Sequence, residues 1–237
     1  MAGYGNPYGV PGVALVQEGG GQVPPVPFQT PQNIFRFGEQ TLWSTLLLPG
    51  GAAIANGTNR IFSTPVGQVG QGFGQALSIA ETNLKEGGRV PAGVAYDVFG
   101  VASEIVSANQ AADTAGITIG TATSSVALIA DALNIQHNVV LSWDFTQTVI
   151  DICPVTLAGA GGGLYGALST TANNTSVGHM SNGNGNIWMY RKHPVALPGN
   201  SAFGVLLRTG SRAATLSVGA SLRVTLLGFY KNIIEIG

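Results

Sequence analysis

Charge is what this sequence has least of. Asp, Glu, Lys and Arg make up 9% of its 237 residues, against roughly 25% in an ordinary soluble protein. Disorder does not follow, because 45% of the residues are hydrophobic and disordered chains are poor in such residues. The composition also lacks the Lys, Glu, Arg and Ala richness of a helical bundle. A formal net charge of −1 argues against non-specific nucleic-acid binding, which draws its affinity from clustered Lys and Arg displacing phosphate counterions. Cysteine occurs once, as Cys153. That excludes an internal disulfide framework and a cysteine-rich metal site, and it suits a reducing compartment. No apolar run reaches the roughly 18 residues of a membrane helix. The most apolar stretch, after Asp151, is broken by Pro154 and by Gly159 to Gly163. The start, MAGYGNPYGVPGVALVQEGG, has neither the basic flank nor the apolar centre of a signal peptide.

What is abundant is glycine, 35 residues, with 12 prolines beside it. Mean hydropathy is +0.28. A surface of Gly, Ser, Thr, Asn and apolar groups is tolerable when neighbouring subunits cover it.

Residues 1–32 form a segment of their own, rich in Gly, Pro, Gln and Val, with Glu18 as its single charged side chain. Nothing in it is periodic, so it reads as an extended N-terminal arm or a flexible tail. Tyr4, Tyr8, Val10, Val13, Leu15, Val16 and Phe28 are unusual for a solvated tail and suit an arm packed on a neighbouring subunit. Residues 33–237 read as one domain. Ile34 to Leu48 predicts a long strand or two strand segments, and Arg60 to Val66 a short one. Val94, Tyr96, Val98 and Gly100 share one face by two-residue alternation. Ile117 and Ile119 mark another strand. Ser124 to Ile135 is the one helix candidate, capped by Ser124 or Ser125, with Val126, Ile129, Ala130 and Leu133 on one face. Strands resume at Asn138–Trp143, Gln147–Leu157, Ile187–Tyr190, Ala202–Leu207 and Ser221–Tyr230, with turns at 182–185 and 198–200. Many strands, one helix and no βαβ rhythm make the fold all-β and antiparallel: a sandwich, jelly roll or barrel.

The few charges are unevenly spread. Residues 90–190 hold six acids and no base, and residues 191–237 hold six bases and one acid. Either an acidic face meets a basic face between subunits, or strands from the two halves interleave and the charges mix within one sandwich.

Chemistry-bearing motifs are sparse. Gly161 to Gly166 matches G-x-G-x-x-G, but a Gly/Ser/Thr/Asn stretch follows it, and no acid occurs between Asp151 and Glu235 to hold a ribose. It reads as a glycine loop. His137, His179 and His193 fit no metal-ligand spacing. Cys153 reads as a buried, inert thiol. A carboxylate pair could come only from separated residues such as Asp144 and Asp151. The Asn56-Gly57-Thr58 and Asn173-Asn174-Thr175 triplets read as turns. Trp43, Trp143 and Trp188 read as core aromatics, with a sugar-binding platform as the other use. No catalytic, cofactor-binding or metal residue is assigned.

The later chain resembles a known family. Ile187-Trp188-Met189-Tyr190, His193 to Gly199 (HPVALPG) and Phe203-Gly204-Val205-Leu206-Leu207 are similar to the closing strands of viral jelly-roll capsid proteins. Glu81 to Leu84, Gly88 to Gly93 and Tyr96 to Gly100 share the same strand–proline turn–strand character. The resemblance spans about residues 34–231. It implies a self-assembling capsid subunit of an icosahedral virus, with a bacteriophage favoured, made in the host cytoplasm and carried in the virion. The length suits a single jelly roll better than a double one, which needs twice the strands. A tailed-phage fold would call for a long spine helix, and none is legible. Partners implied are copies of the chain, minor capsid or penton proteins, or an internal membrane. The absence of Lys and Arg from the arm argues against direct genome binding. The other readings are a spike, receptor- or glycan-binding β-sandwich and a cupin-like metalloenzyme.

Overall fold

The computed structural model describes residues 34–106, 122–146, 148–171, 174–183, 185–210, 215–217 and 219–234. The arm expected over 1–32 and the strand expected at Ile117 and Ile119 lie outside them. In chain order the elements are β1 (Ile34–Pro49), β2 (Arg60–Ile61), β3 (Val94–Val106), α1 (Ala122–Asn138), β4 (Val139–Phe145), β5 (Thr148–Pro154), a 3-10 turn (Val155–Ala158), β6 (Ala160–Thr171), β7 (Asn174–Gly183), β8 (Trp188–Met189), β9 (Val195–Leu197), β10 (Phe203–Thr209) and β11 (Gly219–Ile234).

Alternation along the longest strands builds the first sheet. Leu42, Ser44, Leu46 and Leu48 of β1 stand opposite Leu226, Val224, Leu222 and Ala220 of β11. One face of each strand is therefore apolar and turned inward. β11 pairs β3 on its other side, and β3 carries β8 and β9 along its far edge. The second sheet runs β2-β10-β4-β5, and β6 and β7 form a separate two-stranded ribbon. Every strand pairing is antiparallel. The two larger sheets close over one apolar cluster: Val98, Val101, Leu222 and Leu226 from the first, Ile61, Leu141, Trp143, Phe203 and Val205 from the second. The molecule is an all-β antiparallel sandwich with one helix.

Local chemistry explains where elements stop or shift. β2 ends at Ile61 rather than running to Val66, because Phe62 takes a left-handed φ of 68°, which no strand continues through. In β3, Phe99 is an extra residue: Val98 faces Gly228 while Gly100 faces Leu227. The bulge reverses the alternation, so the inward series runs Tyr96, Val98, Val101, Ser103, Ile105. Gly100 does not share the inner face. A Cβ there would come within 3.0 Å of Ile187 and 3.1 Å of Met189 on the outer side.

Two other expectations need correction. Gly161 to Gly166 lies in β6, not in a loop. The β6–β7 register shifts between Ala160 and Leu164, so the glycines sit at the irregularity such residues favour in strands. The helix buries Asp131, Ala132 and Ile135, whereas Ala130 and Leu133 are exposed. Apolar residues nearly encircle α1, so more than one stripe could have faced inward. Asp131 chooses the stripe: its carboxylate accepts the Ser217 N–H at 2.7 Å and the Gly219 N–H at 2.9 Å, fixing the start of β11.

The open edge of β1 is partly closed by a side chain. The Asn83 Oδ1 accepts the Trp43 N–H at 2.9 Å, and its Nδ2 donates to the Thr41 carbonyl at 2.8 Å. One amide thus imitates a strand neighbour. Asn83→Ala is expected to cost about 1–3 kcal/mol, read as a lower urea midpoint with an unchanged slope. An unchanged midpoint would show that water replaces the amide without loss.

Candidate functional site

The surfaces that stand out are apolar and lie outside the core. On the outer face of the first sheet, Phe229 and Met189 are 42% and 45% exposed. Phe99 packs against Phe229 with ring centroids 5.2 Å apart, and Ile187 borders Met189 over Gly100. The Phe99 bulge builds this patch, because it adds an aromatic on the outer side. At the far edge of the second sheet, β5 exposes Val149 and Ile150, and Leu157 follows in the 3-10 turn. Among the described residues, β5 pairs with β4 alone. An unpaired strand edge with apolar side chains is a template for another chain. Singly exposed apolar residues mean little, but grouped ones mark contact surfaces.

The charges do not separate into two faces. Asp97 pairs with Lys231, Glu104 with Arg223 at 3.7 Å, Asp151 with Arg208 at 2.7 Å and Asp144 with Arg60 at 3.0 Å. Three of these four pairs join an acid from residues 90–190 to a base from residues 191–237. The reason is topological: β3 neighbours β11, and β10 lies beside β4, which carries β5. For these acids the two segments interleave within one sandwich, and they form no separate acidic face.

Asp144 and Asp151 are therefore engaged as ion-pair partners. Asp151 also accepts the Ser142 hydroxyl at 2.7 Å. That hydrogen bond, reinforced by Arg208, holds its carboxyl below the ordinary carboxylate range. A depressed folded-state value contributes stability at neutral pH that is lost as pH falls through it, below about 4. Asp151→Asn should lower the urea midpoint at pH 7, and the gap to the unaltered chain should narrow as pH falls below about 4. A gap that persists in acid would point to packing rather than charge.

The remaining singled-out residues scatter. His137 ends α1, His179 lies in β7 and His193 is exposed between β8 and β9. Among the described residues, no three His, Cys, Asp or Glu side chains stand together as a metal site. Cys153 is buried in β5, and burial pushes its thiol up to about 11. Asn56 and Gly57 form a turn, whose Asn56 Oδ1 accepts the Thr209 N–H at 3.1 Å; Asn173 lies outside the described residues. Trp143 belongs to the core, Trp188 packs partly against it, and Trp43 donates its indole N–H to the Ile79 carbonyl at 3.0 Å. The three rings occupy separate places.

A cavity of about 310 Å³, which the sequence reading missed, opens between β1, β3 and the 83–91 segment. Leu42, Leu84, Val90 and Phe203 give it an apolar floor, and Lys85 and Arg89 stand among its polar lining. The Tyr96 hydroxyl, in reach of the Gln40 and Leu226 carbonyls, closes one wall. Burial raises its pKa well above the usual phenol value. Among the described residues, no helix is long and apolar enough to cross a membrane. These surfaces offer burial and backbone hydrogen bonding to another chain. No protein-family model, curated protein or solved structure matches this chain.

Proposed function

We propose that this chain is a single jelly-roll subunit that assembles with its copies into an icosahedral viral shell. The observation that carries the reading is the pairing order. The first strand pairs with the last, β1 with β11; then β2 with β10, β3 with β8 and β9, and β4 with β5. A long antiparallel hairpin rolled over itself, the path of a jelly roll, would generate such a nesting, and this supports the reading. β8 and β9 count as one interrupted strand, and β6–β7 is an insertion before them. Lectin-type and cupin domains share this architecture, so fold alone does not choose among them. The surface favours the shell. A subunit enclosed by neighbours needs several apolar contact areas and few charges, and this one exposes an apolar patch on one sheet and an apolar edge on the other.

Electron microscopy of the purified full-length chain should show closed particles. A chain that stays monomeric at high concentration overturns the proposal. Phe229→Glu, placed on the outer patch, is expected to lower particle yield about tenfold or more. Its melting temperature should stay within about 2 °C, as for a surface change.

A further inference from the structure

We propose that the cavity bordered by Lys85 and Arg89 receives Glu18 of a neighbouring copy, an inference that rests on the shell reading. Lys85 and Arg89 are the charged residues of its lining. Among the described residues no carboxylate pairs with either one, and Arg89 reaches the Asn200 Oδ1 at 3.5 Å. Two cations beside an apolar floor, with no acid in the lining, fit an anion attached to something apolar. Residues 1–33 offer one such group. Glu18 is their single charged side chain, and Val13, Ala14, Leu15 and Val16 precede it. The carboxylate would meet the two cations while Leu15 and Val16 cover Leu42, Leu84 and Val90.

Glu18 stands 16 positions before Ile34, a span of at most roughly 55 Å, long enough to leave its own subunit. The shell reading, in which the arm packs on a neighbour, gives the occupant as a second copy's arm.

The test is a charge exchange in the full-length chain. Glu18→Lys alone and Lys85→Glu with Arg89→Glu should each lower particle yield about tenfold. Combining all three should restore it to within about twofold. Lys85 and Arg89 are exposed, and a thermal melt of the double variant checks that its fold is intact. Glu18→Cys with Lys85→Cys, treated with a mild thiol oxidant, should give disulfide-linked multimers on a non-reducing gel. Unchanged yield for Glu18→Lys, or no rescue in the combination, overturns the inference. Crosslinks confined within single chains also overturn it. An unaltered chain that forms no particles overturns the shell reading instead, which keeps the two failures distinct.

Discussion

Replacing Trp143 by alanine is expected to destabilise the fold by about 3–5 kcal/mol, the range for removing a buried indole. Trp143 is 2% exposed and lies in β4 between Val205 of β10 and Ile150 of β5. Its ring stacks on Phe145, with centroids 5.6 Å apart at 17°. Its indole N–H donates to the Tyr190 hydroxyl at 2.7 Å. Tyr190 follows β8 of the opposite sheet, where its own N–H bonds the Phe99 carbonyl at 2.8 Å. The pair therefore links the two layers. Burial raises the Tyr190 phenol above its usual value, and the hydrogen bond from Trp143 opposes that rise. Truncation leaves a cavity and strips a half-buried hydroxyl of its donor. Trp143→Phe keeps much of the volume but not the donor, so it should cost less. Denaturant titration reads both as midpoint shifts at constant slope. A loss under about 1 kcal/mol for the alanine variant would mean that the core collapses around the gap.

On the proposed shell reading, deleting residues 2–30 is expected to abolish particle formation while leaving the sandwich folded. The described core runs from Leu46 to Leu226 and draws on both sheets. The melting temperature should therefore change by no more than about 2 °C. The segment carries Tyr4, Tyr8, Val10, Val13, Leu15, Val16 and Phe28. Burying one such side chain on a neighbour contributes about 1.5–3 kcal/mol before ordering costs. Several together outweigh the contact energy a shell subunit can lose. Sedimentation and electron microscopy should find subunits or small oligomers in place of particles. Unchanged particle yield would remove the arm from the assembly mechanism.

The same residues show how far local pattern reaches. Strict alternation in Leu222, Val224 and Leu226 places β11 from sequence alone, because one face of a half-buried strand must be apolar. The Pro198-Gly199-Asn200 turn is equally legible: Asn200 takes φ 63°, a conformation its short polar side chain tolerates. The bulge at Phe99 is not legible. It depends on Gly228 in a strand more than 120 positions away, and no local pattern records that pairing. Gly161 to Gly163 misled for a related reason. Glycine disfavours strands by itself, yet the flanking Ala160 and Leu164 pair with β7 and keep the glycines between them within β6.

What the sequence by itself determined is the class of the protein and the character of its surface. Alternating apolar runs require strands, and 9% charge with 35 glycines requires a surface of small and apolar groups. Tertiary structure alone decided which strands are neighbours. That choice mixes the segregated acids and bases into ion pairs, as when β3 meets β11 through Asp97–Lys231 and Glu104–Arg223. It also brings Lys85 and Arg89 to one cavity with Tyr96 and Tyr230, and turns Phe99, Met189 and Phe229 outward together. Alternation says which side of a strand is apolar, but strand pairing is long-range. Its register is set by how both sheets bury their inner faces at once, so it emerges only when the whole sandwich closes.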